Sequence, residues 1–362
     1  MPTLVFTGGG TAGHVMPNLA LAPLLRAQGW NLHYLGSAKG PEGALVEAAG
    51  IPFHSVATGK LRRYFSLENF TDPFRVFLGA FQAFALLGKL KPDLVFSKGG
   101  FVAVPVVYAA ALRRIPVVLH ESDLTPGLAN RLCMPFCRRV CVSFPETLDH
   151  LPKGFPKERA ALTGSPIRPE LFAGNRAAGL ERLGFAADKP VLLVMGGSLG
   201  SKAVNEALRA NLDWILVGHQ VVHLCGRGWL APALDEKYGH AGYRQFEFVG
   251  ADLPDVLAAA DLVVSRAGAN SLFELLALRK PMLLIPLPGR ASRGDQILNA
   301  ESFAKRGLAH VLLQENLNAD TLRSALQALD WTAGALRNAM ETSGLTHGTE
   351  QVLEVITSVV RA

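Results

Sequence analysis

Cysteine is scarce in this 362-residue chain, with Cys133, Cys137 and Cys141 spaced four apart and Cys225 alone. That spacing fits no zinc pattern, and the reading it favours is small apolar residues buried in a reducing compartment. Long apolar runs are missing too. The longest, Val76 to Gly88, has 13 residues and contains Gln82, short of the roughly 20 that a membrane-crossing helix requires. No basic stretch with an apolar core and cleavage site precedes the first strand pattern, so no secretion signal is expected. Charge is sparse at 18% against 49% hydrophobic residues, which excludes disorder and supplies enough apolar material for two full cores. The formal charge of +6 is unevenly placed: residues 1–165 hold 17 Lys/Arg against 10 Asp/Glu, and the remainder 19 against 20. A basic first half points to an anionic partner, whether nucleic acid, membrane or substrate.

What is present begins with a strand pattern at Leu4 to Thr7, a glycine loop from Gly8 to His14, and a helical pattern through Leu19, Leu24 and Leu25. Gly8, Gly10 and Gly13 fit G-x-G-x-x-G, but the next strand, Leu32 to Ser37, ends without the acidic residue that a nicotinamide dinucleotide site would want. Further strands are expected at Ile51 to Val56, Asp93 to Ser97 and Ile115 to His120, separated by helices, giving an open parallel α/β sheet. Phe70, Phe74, Phe77, Phe81 and Phe84 recur at helical spacing after the basic segment Lys60 to Phe65. Such a stripe either packs into the core or forms a membrane-surface patch, the neighbouring basic residues favouring the second.

Thr163 to Pro169, rich in glycine and proline, reads as a linker. The opening is then repeated, with Val191 to Met195, Gly196-Gly197-Ser198-Leu199-Gly200 and a helical pattern from Lys202. Two such halves imply two Rossmann-like domains with a ligand cleft between them. The second glycine loop also matches G-x-S-x-G, but a hydrolase needs an acid and then a histidine after the serine, and His310 lies in an apolar strand-like run. Contact of Ser198 with a diphosphate is the preferred reading. Later strands are expected at Val221 to Leu224, Phe246 to Val249, Asp261 to Val264, Pro281 to Ile285 and Ala309 to Leu313. Val352, Val355, Ile356, Val359 and Val360 share one face of a final helix that needs a surface to pack on.

The most informative stretch is Ser265-Arg266-Ala267-Gly268-Ala269-Asn270-Ser271-Leu272-Phe273-Glu274, which reads as strand, tight loop and helix, the helix capped by Asn270 or Ser271. Amides at such a start attract an anion such as a diphosphate. Glu274, about one turn in, suits a ribose diol, since a carboxylate accepts two hydrogen bonds; an ordinary capped helix whose Glu complements the dipole remains the alternative.

Taken jointly and in order, Gly8 to Val15, Gly99-Gly100-Phe101-Val102, Val118-Leu119-His120-Glu121, Thr163 to Arg168, Gly196-Gly197-Ser198, Ser265 to Glu274 and Asp295-Gln296 resemble the MurG family over essentially the full chain. These are the N-acetylglucosaminyltransferases that complete the lipid-linked disaccharide of peptidoglycan. The resemblance implies the α/β GT-B fold: two Rossmann-like domains, their parallel sheets facing a central cleft. It divides the chain into an acceptor- and membrane-facing domain (1–164), a UDP-sugar domain (165–346) and a helix crossing back to the first (347–362). The implied partners are UDP-N-acetylglucosamine, an undecaprenyl-linked muramyl peptide and the cytoplasmic face of the cell membrane, with no nucleic acid. Val249 would lie beside uracil; Ala269, Asn270, Ser271, Leu272 and Phe273 would hold the diphosphate with Arg266, and Glu274 the ribose. Gln296 would hold the sugar hydroxyls with help from Ser198 and Arg168. Thr11, Ala12 and Gly13 would close on the phosphates and acceptor.

In the implied reaction the acceptor's C4 hydroxyl attacks the anomeric carbon with inversion and expels UDP. His14 is the favoured base, its ordinary pKa near 6.5 suiting proton uptake, a helix-capping histidine being the bland reading; Glu121 orients or assists. No Asp-x-Asp occurs, and neither a metal nor a cofactor is expected: helix dipole and arginine would carry the leaving-group charge. Two positions depart from the family pattern, Ala12 where glycine is common and Asp123 where asparagine is frequent. A related diacylglycerol glycosyltransferase, a nucleotide-sugar epimerase and a non-catalytic donor sensor are the rival readings.

Overall fold

Short β-branched runs alternating with amphipathic stretches produce strands that are buried on both faces, each followed by a helix that covers the sheet. The computed structural model describes residues 1–38, 40, 42–59, 68–197, 199–289, 293–345 and 348–361, with side chains described outside 68–73. Ser198, Arg62, Arg63 and Phe65, together with the Phe70 side chain, lie outside what is described. The chain divides into two units, residues 1–168 with 347–362, and residues 169–346.

In the first unit the strands are β1 (Thr3–Thr7), β2 (Asn31–Ser37), β3 (Phe53–Val56), β4 (Leu94–Ser97), β5 (Val117–Glu121), β6 (Arg139–Val142) and β7 (Ala160–Leu162). They form one parallel sheet in the order β3-β2-β1-β4-β5-β6-β7. In the second, β8 (Val191–Met195), β9 (Gln220–Leu224), β10 (Tyr243–Phe246), β11 (Leu262–Ser265), β12 (Met282–Leu284) and β13 (His310–Val311) are ordered β10-β9-β8-β11-β12-β13. Both orders reverse direction once, between β1 and β4 and between β8 and β11, and in open α/β sheets ligands bind beyond the carboxyl ends of strands at that point. The paired ends are level: Thr7 lies opposite Ser97, and Met195 opposite Ser265. Each glycine loop therefore leaves its sheet beside the loop that follows β4 or β11.

Two expected boundaries move beside the switch point of the second sheet, and one strand is new. The strand expected at Phe246 to Val249 ends at Phe246, leaving Glu247 to Val249 as the loop at its carboxyl end. The helix expected to be capped by Asn270 or Ser271 runs Ala269–Ala277 with Gly268 at its N-cap and no side-chain cap. The edge strand β7 was not expected.

The helix Glu68–Leu90 packs on the helix Ala103–Leu112 through small residues. Ala83 and Leu87 are buried, and a side chain at Gly79 would collide with the Ala57 carbonyl. Phe74, Phe77, Phe81 and Phe84 are thereby turned outward, Phe77 being 78% and Phe81 67% exposed. The final helix, Thr349–Arg361, buries Val352, Leu353 and Ile356 among Leu4, Leu21, Leu25 and Phe96 of the first unit. No helix among the described residues is long and apolar enough to cross a membrane, and the four cysteines are free and buried.

In the second unit, His223 is buried between the Tyr243 hydroxyl and Asn205 Oδ1, each at 2.9 Å. Burial, with the nearby Arg209 charge, pushes it down to about 3. The unfolded chain takes up this proton near pH 6.5 and the folded chain does not until about 3, so the contribution is present above pH 6.5 and lost as pH falls toward 3. Urea unfolding at pH 7, 6 and 5 is expected to show declining stability, at up to about 1.4 kcal/mol per pH unit from this group. The decline should flatten in His223→Gln; an equal slope in the variant would assign it to other groups.

Candidate active site

At the first switch point the chain turns from β1 through Gly8-Gly9-Gly10 into a short 3-10 turn, Ala12–His14. The Gly8 carbonyl accepts from the Tyr34 hydroxyl at 2.8 Å, and Asn18 donates to both that hydroxyl and the Thr7 carbonyl, pinning the loop from below. Thr11 and Gly13 are exposed, Ala12 and His14 half-buried. His14 Nδ1 lies 3.2 Å from the Lys98 carbonyl, to which it donates as the N–H tautomer. That choice makes Nε2 the basic nitrogen. Gly100, at φ 80°, packs against this ring: a side chain there would strike the Gly9 carbonyl and lie 3.1 Å from His14 Cδ2. The glycine permits both the left-handed backbone and the close approach.

Glu121 ends β5, buried. Its carboxylate accepts from the Asp123 and Gly127 amides at 3.0 and 2.9 Å and from Asn130 Nδ2 at 2.8 Å, closing the loop 122–127. Burial, reinforced by the Asp123 charge, pushes its pKa up. Beside it the Lys98 ammonium is also fully buried, donating to His120 Nδ1 at 2.6 Å and to the Ser122 hydroxyl. His120 Nε2 donates in turn to the Gly164 carbonyl at 2.9 Å. Lys98 and Asn130 were not singled out from the sequence, and His120 appeared only within the motif Val118-Leu119-His120-Glu121, with no role assigned; for Lys98 the local signal is a lysine at a strand end before two glycines.

At the second switch point a pocket of about 170 Å³ is lined by Val249, Arg266, Ser271 and Glu274, joined by Gly197, Glu247 and Phe248. Its walls are apolar at one end, where Leu253 and Leu257 lie, and polar where Ser271 and Glu274 project one turn apart from the same helix. It is smaller than the roughly 300–1,000 Å³ that a whole ligand fills, so it suits one part of a nucleotide sugar. Arg266 donates to the Ile285 and Pro286 carbonyls at 2.9 and 3.2 Å and to Ser201 Oγ and Gln314 Oε1 at 2.6 Å. These acceptors are neutral, so the positive charge is fixed in place without being cancelled by them, and burial pushes its pKa down. Arg266 stands three residues before the amide-rich start of the helix Ala269–Ala277, the combination of charge and free amides that anion sites use.

Of the other expected donor contacts, Leu272 and Phe273 are buried in the core, Phe273 packing edge-on against Phe303 at 5.7 Å. Only their backbone is available to a ligand. Gln296 Oε1 accepts from the Leu287 amide at 3.0 Å. Glu247 and Phe248 are additions: they were hidden by the expected strand and revealed as pocket residues once β10 ends at Phe246.

Residues 4–142 match the N-terminal domain, and residues 191–354 the C-terminal domain, of glycosyltransferase family 28. The chain is 52% identical over 359 residues to a UDP-N-acetylglucosamine--N-acetylmuramyl-(pentapeptide) pyrophosphoryl-undecaprenol N-acetylglucosamine transferase of Lachnoclostridium phytofermentans, covering 99% of each chain. It is 49% identical to the transferase 2 of that name from Bacillus cereus, covering all of both chains. A crystal structure of Acinetobacter baumannii MurG superposes with a TM-score of 0.78 at 27% identity, over 99% of this chain and 100% of that one. Two parallel-sheet α/β domains of this kind are the GT-B class of fold. The chain is a glycosyltransferase and belongs to the MurG family.

Proposed function

We propose that this chain transfers N-acetylglucosamine from UDP-N-acetylglucosamine, with inversion, to the C4 hydroxyl of undecaprenyl-diphospho-N-acetylmuramoyl-pentapeptide, converting lipid I to lipid II. The observation that carries this reading is the identity of 52%, end to end, to a relative named for that transfer. The lining of the pocket at the second switch point supports the following roles. Uracil enters the pocket beside Val249, and the ribose diol meets Glu274. The diphosphate lies at the start of the helix Ala269–Ala277, near Arg266. Gln296, Ser198 and Arg168 assist at the sugar and phosphates, and Thr11, Ala12 and Gly13 close on the acceptor. His14 Nε2 takes the hydroxyl proton as the C4 oxygen bonds to the anomeric carbon. The bond from that carbon to the diphosphate breaks on the opposite face, and its charge passes to UDP, where helix amides and Arg266 offset it. Glu121 orients the loop 122–127 rather than exchanging protons with substrate.

The direct test incubates the chain with isotopically labelled donor and lipid-linked muramyl peptide and follows products by mass spectrometry. Acceptor-dependent formation of the disaccharide lipid and UDP is expected. Transfer to diacylglycerol alone, or consumption of the donor with no acceptor present, would replace the reading with one of the rival enzymes.

An acceptor carrying an undecaprenyl chain stays in the bilayer, so the enzyme has to work at the cytoplasmic membrane surface. Phe74, Phe77, Phe81 and Phe84 furnish the apolar contact, and Arg75, Lys89 and Lys91 the basic one. Each buried aromatic contributes roughly 1.5–3 kcal/mol and each basic residue about 1 kcal/mol on an anionic leaflet, enough for reversible attachment. Phe77→Ser and Phe81→Ser should reduce co-sedimentation with anionic liposomes at an unchanged melting temperature. Full lipid binding in both variants would move the membrane contact elsewhere.

A further inference from the structure

We infer that Lys98 is a positioning residue for the transfer, its buried ammonium holding the end of β4 so that the Lys98 carbonyl stays in place to receive His14 Nδ1–H. The inference rests on His14 being the base. Lys98 is anchored at three points. Its amide donates to the Thr7 carbonyl at 2.9 Å, its carbonyl accepts from His14 at 3.2 Å, and its Nζ reaches His120 Nδ1 at 2.6 Å and the Ser122 hydroxyl. The last anchor is itself fixed. His120 gives its Nε2–H to the Gly164 carbonyl at 2.9 Å, so Nδ1 presents a lone pair to the ammonium. Gly99 and Gly100 follow at φ 87° and 80°. No side chain of theirs stiffens the turn, so the conformation beside His14 depends on the residue before them.

An ammonium with 1% exposure is a poor choice for stability. Burying such an ion costs several kcal/mol even after relaxation, and an apolar side chain of similar volume often serves the fold as well or better. Burial pushes the Lys98 pKa down, and the negative potential of Glu121 and then of Asp123 opposes that fall and favours the ammonium. Glu121 is already engaged by two amides and Asn130. The ammonium therefore also offsets Asp123, which adds a second carboxylate to this loop. The cluster is wholly within the first unit, and its output is the orientation of one imidazole.

Lys98→Met and the double variant Lys98→Met/Asp123→Asn test this beside His14→Ala, with turnover, KM for each substrate and melting temperature measured on the full chain. Lys98→Met is expected to lower kcat about tenfold, the lower end of the range for residues supporting a reacting group, with both KM values within about threefold. The double variant, which also removes the Asp123 charge, is expected to recover part of that loss and keeps the test open if the single variant folds poorly. If His14→Ala is nearly inactive while both Lys98 variants turn over normally, the positioning role is wrong and the base assignment stands. If His14→Ala itself turns over normally, the base assignment has failed instead. A loss of kcat in the double variant equal to that of Lys98→Met would overturn the charge-offset argument.

Discussion

His14→Ala is expected to lower kcat by about 10²–10⁴, the usual contribution of one general base, with little change in donor affinity. The imidazole projects from a loop at the switch point of the first sheet, where parallel α/β sheets place ligands, and not from the core. Its orientation is set from two sides. The Lys98 carbonyl takes Nδ1–H at 3.2 Å, and Gly100 leaves room for the ring to lie against the backbone. This arrangement differs from that of a helix cap, which would direct the ring at the first amides of Met16–Ala27; Val15 caps that helix without any side-chain hydrogen bond. Near-normal turnover together with a lowered melting temperature would falsify the base assignment. His14→Gln separates the two further, since it retains hydrogen bonding without basicity and should be nearly as slow as alanine.

Glu274→Ala is expected to weaken UDP-N-acetylglucosamine binding about ten- to a hundredfold by calorimetry, with the fold intact. The net loss of one hydrogen bond to a charged acceptor accounts for the size, at about 1.5–3 kcal/mol. Position supports the role. Glu274 is the sixth residue of its helix, beyond the first turn in which a carboxylate gains most from the dipole, and it lines the same pocket as Ser271, three residues earlier. Glu274→Gln should retain part of the affinity, because an amide accepts fewer hydrogen bonds from the diol. Unchanged affinity in both variants would return Glu274 to a helix-stabilising role.

Much of the architecture could be read from strand spacing, because both sheets are buried on both faces and their strands are apolar runs framed by glycine loops. The errors have local causes. β7, Ala160–Leu162, is a three-residue edge strand, too short to show a period and half-buried to exposed. The run from Phe246 to Val249 looked like a strand because three of its four residues are apolar or small, yet the pairing belongs to Tyr243–Phe246, and the apolar Phe248 and Val249 line the pocket instead. The phenylalanine stripe was ambiguous for a related reason. Periodicity identifies a face but not which face is inside, and here the inner one combines Gly79 and Ala83, too small to register as hydrophobic, with Leu87, which the five rings outweigh. For the proposed site, motif order pointed to the glycine loops, His14, Arg266 and Glu274, which the fold sets at or beside the two switch points. It could not show that the side chains of Leu272 and Phe273 are buried in the core. The Lys98–His120 contact joins two strands across 22 residues, and nothing in either segment alone announces it.

The second unit is inserted into the first along the chain, since Thr349–Arg361 supplies part of the first unit's core. During synthesis, at about 5–20 residues per second, the domain that is begun first is therefore finished last. Residues 1–168 must wait while the entire second domain is made, with Leu4, Leu21 and Phe96 still lacking the cover of Val352, Leu353 and Ile356. The contiguous second domain is under no such delay and can complete its core while the first is still open. Ribosome pausing or truncation within this helix accordingly strikes the domain that carries His14, far along the chain from that residue.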